Sequence, residues 1–245
     1  RDLTGRADGP FIVEGKVTLD ILLERSRFEI ESLFLCETRL EPLADLLADV
    51  PADVPIYVAP QALMDEVAGF NVHRGILACA RKGEPLALEQ LIGPETLLML
   101  NQTANHDNVG AAFRNAAAFG VGGVILDQQS CDPLYRKAIR VSAGTSLWLP
   151  YHHGGTGLVQ IEALKAAGYT IWAMTPRREG ADLQTLNVPD KLAILLGAEG
   201  PGLPDALIQA ATPVRIPMAA GFDSVNVATT GAIALSYVFN ARQMS

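Results

Sequence analysis

The chain has 245 residues, 49% of them hydrophobic, 19% charged and only 6% aromatic, a mix that excludes a disordered chain or a disulfide scaffold. It suits one large or two small globular domains able to bury a sizeable core. The 19 basic and 27 acidic side chains leave a net charge of −8, which weighs against a nucleic-acid ligand without excluding one, because phosphate backbones are normally met by a basic face.

In chain order, FIVEG (Phe11 to Gly15) leads into VTLDILLE, whose apolar spacing predicts a helix packed on one side. IESLFLCE reads as a strand, Leu40 to Leu47 as a helix and IYVA (Ile56 to Ala59) as a strand. QALMDEVAG is a helix closed by Gly69, and GILACA (Gly75 to Ala80) is another strand. These make a small α/β domain over residues 1–82, followed by a Gly/Pro-punctuated linker over 83–94. The second domain spans 95–245. TLLML is a continuous apolar strand, as expected inside a sheet covered on both faces. VGAAFRNAAAF follows as a helix, GGVILD as a strand, YRKAIRVSAG as a helix and TSLWLP as a short strand. LVQIEALKAAG is an amphipathic helix, then YTIWAM, KLAILLG and VRIPM (ending at Ile216-Pro217-Met218) are strands. A long last helix runs from Asn226 to about Met244. Strand and helix alternate, so a mostly parallel α/β sheet is expected.

Charge divides the same way. Residues 1–94 carry 9 basic and 16 acidic side chains and residues 95–245 carry 10 and 11, so the nearly neutral second part can present a local basic patch. No apolar run approaches the ~20 residues of a membrane-spanning helix, and the opening RDLTGRADGP lacks the pattern of a signal peptide. Cys36, Cys79 and Cys131 lie far apart with no CxxC, which suggests reduced thiols in a cytoplasmic protein.

In open α/β sheets ligands gather at the carboxyl ends of strands, and three such ends carry unusual loops. In NQTANHDNVGAAFRNAAAFG, Asp107 or Asn108 can cap the following helix. Arg114 stands out among small and apolar neighbours, so it must reach a carboxylate, a phosphate or a subunit partner, a structural ion pair being as good an explanation as a functional one. LLGAEGPGLP places Gly197, Gly200 and Gly202 around one carboxylate, Glu199; glycines there let backbone groups face a ligand. In VRIPMAAGFDSVNVATTGAIALSY, Asp223 or Ser224 is expected to cap the last helix. That leaves Asn226 and the small residues Ala228, Thr229, Thr230 and Gly231 to mark a close approach. Dinucleotide, P-loop, G-x-S-x-G and H-E-x-x-H patterns are all absent, and adjacent His152 and His153 do not converge as zinc ligands should. Arg136, Lys137 and Arg140 are the best local phosphate patch, ordinarily just a solvated face; Arg177-Arg178 is weaker.

Together and in this order, NVGAAFRNAAAFG, LLGAEGPGLP and RIPMAAGFDSVNVATTGAIAL resemble the three motifs of the SpoU/TrmH-type RNA ribose methyltransferases of the SPOUT superfamily, over roughly residues 95–245. The first part resembles, more loosely, the small RNA substrate-binding α/β domain that precedes this domain in many members. The resemblance implies a deep trefoil knot in the C-terminal α/β domain, an exception to unknotted topology, and a homodimer with its active site at the subunit interface. It implies S-adenosylmethionine held by Gly197, Ile216 and Val225, with Leu195, Ala198, Gly200 and Met218 nearby, and methyl transfer to a ribose 2′-hydroxyl of rRNA or tRNA without a metal. Arg114 would approach the hydroxyl and its phosphate. A guanidinium stays protonated in proteins, so positioning and charge stabilisation are preferred to proton removal. Asn108 would orient Arg114 or the ribose, Glu199 would pair with Arg114 or shape its loop, and Ser224 and Asn226 would hold the nucleotide and cofactor loop. RNA contacts would come from Arg136, Lys137, Arg140 and Arg74, with His73, Arg81 and Lys82 as further points. Asn115 departs from the Thr or Ser of many relatives, and Thr229-Thr230 from residues often hydrophobic or small. The alternatives are a catalytically silent RNA-binding protein of the same fold, whose signature would be loss of Arg114, Glu199 or Asn226, and a dinucleotide oxidoreductase, disfavoured by the missing glycine fingerprint.

Overall fold

The computed structural model describes residues 9–222 and 224–244. The chain forms two compact units, one built from residues up to Glu84 together with Leu134–Trp148, the other from Pro85–Pro133 and Leu149 onward.

In the first unit the chain runs β1 (Pro10–Glu14), α1 (Lys16–Glu24), β2 (Glu29–Cys36), α2 (Ala44–Ala48), β3 (Ile56–Ala59), α3 (Gln61–Ala68) and β4 (Ile76–Arg81). The sheet order is β1-β4-β2-β3, with β4 antiparallel to both neighbours and β3 parallel to β2. Alternation sets the core: Phe11 and Val13 point inward from β1, Leu33 and Leu35 from β2, and Leu19 and Leu22 of α1 close over them. Phe11 meets Phe28 edge to face at 5.1 Å between ring centres. Of the expected Leu40–Leu47 helix, Glu41–Leu43 with Pro42 is a 3-10 turn, and the α-helix runs over Ala44–Ala48.

Residues 134–148 stand inside the second domain of the sequence reading, yet they cluster with the first unit. Their helix, Arg136–Val141, buries Ala138 and Ile139. The Arg136 guanidinium lies over the Phe70 ring at 3.7 Å and 3.9 Å from Glu14, while Arg25 lies over Trp148 at 4.1 Å. Sequence contiguity could not reveal this, since nothing local marks which sheet a short helix packs on. Residues 85–94, expected as a linker, cluster with the second unit and bury Leu88 and Leu91 in its core.

The second unit contains β5 (Thr96–Leu100), α4 (His106–Ala118), β6 (Val124–Leu126), β7 (Tyr151–His153), α6 (Gly157–Ala166), β8 (Thr170–Met174), β9 (Ala181–Asp182), β10 (Leu192–Leu196), α7 (Asp205–Gln209), β11 (Thr212–Arg215) and α8 (Val227–Gln243). The helix 136–141 of the first unit is α5. The seven strands lie in the order β7-β6-β5-β10-β8-β11-β9 and every described pairing is parallel. Every residue of the central strands β5 and β10 is buried, as a sheet covered on both faces requires.

Several expectations for residues 95–245 change. TSLWLP is not a strand: Thr145–Leu147 is a 3-10 turn and the strand begins at Tyr151, after Pro150. β11 ends at Arg215, before Ile216 and the donor-less Pro217. Asn105, not Asp107 or Asn108, caps α4, accepting from Asp107 N at 2.8 Å. Asn226, not Ser224, caps α8, accepting from Ala228 N at 2.8 Å and Thr229 N at 3.3 Å. Asp223, the other candidate cap, lies outside the described residues.

Candidate active site

Because β8, β10 and β11 run parallel, the loops leaving their carboxyl ends emerge on one side of the sheet. They enclose a cavity of about 500 Å³, lined by residues 174–177 after β8, 196–203 after β10, and Ile216, Met218, Ser224–Val227 and Thr230 around the start of α8. That volume lies in the usual range for a bound small molecule. Its walls mix apolar side chains (Met174, Leu196, Ile216, Met218, Val225) with the bare backbone of the glycine loop.

The loop after β10 folds tightly on itself. Ala198 and Gly202 form an isolated bridge, with Gly202 N donating to Ala198 O at 3.2 Å, and Gly200 and Gly202 take left-handed conformations at φ 82° and 70°. Gly197 is required for another reason: a Cβ there would lie 2.6 Å from Gly202 C and Leu203 N. A side chain at 197 would collide with the loop's own backbone before it reached ligand space. Gly231 lets α8 lie against β10, an added Cβ meeting Leu196 Cδ1 at 2.8 Å.

Three polar side chains from separate elements join at the cavity wall. Asn226 Oδ1 is occupied by the α8 cap, so its amide nitrogen faces the other way and donates to Asn108 Oδ1 at 3.0 Å. Asn108, 5% exposed on the first turn of α4, in turn donates through Nδ2 to the Glu199 carboxylate. The cap thus fixes both amide orientations and aims the relay at Glu199, a lining residue.

Of the residues singled out as cofactor contacts, Gly197, Ala198, Gly200, Ile216, Met218 and Val225 all line the cavity; Leu195 does not. Its side chain is 1% exposed in the hydrophobic core, and by strand alternation the wall position is taken by Leu196. Glu199, Ser224 and Asn226 line it too, with Asn108 one hydrogen bond behind. Arg114 does not pair with Glu199, which takes Asn108 instead. Six residues along α4 is 240° around the helix, so Asn108 faces the glycine loop while Arg114 faces out. Arg114 is exposed and has no hydrogen bond or ion pair among the described residues.

The loop after β8 also belongs to the site, though the sequence marks it only by its Arg177-Arg178 pair. Parallel pairing of β8 beside β10 obliges that loop to reach the same sheet end. Arg177 lines the cavity and makes a close ion pair with Asp205 at the start of α7. Of the basic residues proposed for RNA, Arg136 is engaged with Phe70 and Glu14, while Lys137, Arg140 and Arg74 are exposed in the first unit. Arg81 is held by Glu31 at 2.7 Å, a hydrogen bond that raises its already high pKa. His152 and His153 contact the backbone oxygens of Leu86 at 2.8 Å and Ser130 at 3.0 Å. Among the described residues no group of three His, Cys, Asp or Glu converges as a metal site would.

Comparison with known proteins places this site in context. Residues 95–236 match the model of the SpoU rRNA Methylase family. An uncharacterized tRNA/rRNA methyltransferase of Mycobacterium bovis is 40% identical over 228 residues, covering 91% of this chain and 78% of its own. The 23S rRNA (guanosine-2'-O-)-methyltransferase RlmB of Shewanella oneidensis is 29% identical over 236 residues, covering 91% and 94%. Among solved structures, the SpoU methyltransferase AviRb from Streptomyces viridochromogenes in complex with the cofactor AdoMet is similar in fold, with a TM-score of 0.82 at 22% identity, covering 96% of this chain and 91% of that one.

Proposed function

The chain belongs to the SpoU rRNA methylase family, and on that premise we propose that the cavity binds S-adenosylmethionine and that the enzyme methylates a ribose 2′-hydroxyl of rRNA or tRNA. The observation that carries this reading is the convergence of three loops on one cavity with a polar relay, Asn226 to Asn108 to Glu199, ending at its wall. The guanosine 2′-hydroxyl in the Shewanella relative's name and the AdoMet of the AviRb structure support the acceptor and the donor.

The residues present fit the donor. The cavity is of the right size, its apolar side chains suit a purine and a thioether stem, and the glycine loop offers unobstructed N–H and C=O groups for polar edges. Backbone at Gly197, Ala198 and Gly200 would hold the adenosyl group between Ile216, Met218 and Val225. When bound, S-adenosylmethionine supplies an activated methyl on a positively charged sulfur. This chain's residues then align the acceptor for in-line displacement, a contribution mainly of geometry and charge. Glu199, held by the relay, shapes the wall beside the ribose; Ser224 and Asn226 hold the nucleotide side. Arg114 stabilises the developing oxyanion and the neighbouring phosphate from the partner protomer, which accounts for an exposed guanidinium with no described partner in its own chain.

The same reading includes a homodimer built on α4 and α8, whose Ile233 and Phe239 remain part-exposed. It also includes a knotted C-terminal tail, supported by the way α8 returns against both α4 and β10, and RNA contacts through Arg74, Lys137 and Arg140. The test is paired. Isothermal titration with S-adenosylmethionine should show saturable binding that Arg114→Ala leaves within about twofold, while methyl transfer to unmodified RNA falls by about a hundredfold or more. Turnover retained by Arg114→Ala removes it from the reaction, and absence of donor binding removes the site.

A further inference from the structure

β3 forms one edge of the first unit's sheet, and among the described residues its outer side carries no strand. Leu33 N donates to Pro55 O at 3.0 Å, which sets the parallel register with β2. In that register Pro55, Tyr57 and Ala59 direct their backbone groups to β2, leaving the N–H and C=O of Ile56 and Val58 turned to the open edge. The side chains are unusually apolar for such an edge: Ile56 is 39%, Tyr57 59% and Val58 45% exposed, with Leu63 and Val67 of α3 also exposed. Edges are normally blunted by lysine or an inward charge; here no basic residue occurs between Arg39 and His73. That stretch instead holds six carboxylates, of which Glu41, Asp45, Asp49, Asp53 and Glu66 are exposed.

We propose that the β3 edge docks a basic, extended polypeptide segment, which adds to the sheet as a fifth strand. Main-chain bonds to Ile56 and Val58 would supply the pairing, Ile56, Tyr57 and Val58 the apolar contacts, and the exposed carboxylates that flank β3 in the chain the selection for lysine and arginine. The charge decides among occupants. A second copy would bring these carboxylates against their own equivalents, and they would repel the phosphates of RNA. The inference does not depend on the methyl-transfer reading.

The test uses the full chain and a fluorescein-labelled peptide, Lys-Val-Lys-Val-Lys-Val-Lys, with Glu in place of Lys as control. Polarisation should report saturable binding of the basic peptide alone, with new hydrogen-exchange protection at the Ile56 and Val58 amides. Val58→Pro keeps the charge and is tolerated where the N–H faces outward, so it should weaken binding by about tenfold while circular dichroism stays native. Should that variant misfold, Asp49→Asn with Asp53→Asn, both on a surface loop, should still weaken binding about threefold and flatten its salt dependence. Equal binding of the acidic peptide, a folded Val58→Pro protein that binds as tightly as the parent, or no binding at all would overturn the proposal. So would loss of self-association or of RNA binding in Val58→Pro, since either would assign the edge to a different occupant.

Discussion

The two sheets of this molecule treat their strands differently. In the second unit β5 and β10 are buried along their whole length and every described pairing is parallel, so the strands offer no polar surface and all chemistry is displaced to the loops at their carboxyl ends. In the first unit β1 alternates between buried and half-buried positions and β3 lies mostly open to solvent. A sheet wrapped on both faces concentrates loops around a small-molecule cavity; a sheet left partly bare keeps strand surface available for recognition.

The contrast is most sharply broken or sustained by stability. Ile194→Ala, at the centre of β10, should cost about 2–5 kcal/mol, whereas Tyr57→Ala on β3 should stay within about 0.5 kcal/mol; denaturant melts of both variants decide it, and similar costs would void the distinction. Next in size, Gly197→Val forces a side chain into the Gly202–Leu203 backbone. Titration should show S-adenosylmethionine affinity falling about a hundredfold while Val58→Pro leaves it unchanged, and undiminished binding would show the loop has room to spare. Asn226→Ala removes both the α8 cap and the donor to buried Asn108, an expected loss of about 1–3 kcal/mol. Combined with Asn108→Ala it should be non-additive; strict additivity would mean that the relay is not one unit.

The smallest effect separates two thiols. Burial pushes Cys79 of the first unit up to about 11 and Cys131 of the second up to about 12, from an ordinary 9.0. Both therefore stay neutral near pH 8, and alkylation should keep rising through pH 9–10 instead of levelling near 9, faster for Cys79 than for Cys131. Because the folded values are raised, their contribution to stability is full below pH 9 and is lost as pH climbs towards 11 and 12. A plateau at 9 for either thiol would contradict its burial.

Much of the catalytic unit was legible because periodicity and loop chemistry are local. Continuous apolar runs marked β5 and β10, and the glycines around Glu199 marked the loop that walls the cavity. What stayed hidden required three dimensions. Leu196 replaces Leu195 because strand alternation fixes which of two adjacent leucines faces the loops. Asn105 and Asn226 displaced better-placed candidates as caps because the relay and the first turn of each helix select among several Asx and Ser residues. Arg177 became a site residue only once β8 was known to lie beside β10. The edge character of β3 was invisible because IYVA reads the same in a central strand as in an outer one.

The assignment of residues 134–148 to the first unit bears on how the chain is made. During synthesis, β1 to β4 leave the ribosome well before the helix that buries Ala138 and Ile139 and supplies the arginine over Phe70. The leading unit must wait, incomplete and without the helix that packs on β1, until nearly fifty residues of the trailing one have emerged. Completion of the two units is therefore interleaved in time, and a nascent chain arrested just past Glu84 should be more protease-sensitive than one arrested past Trp148.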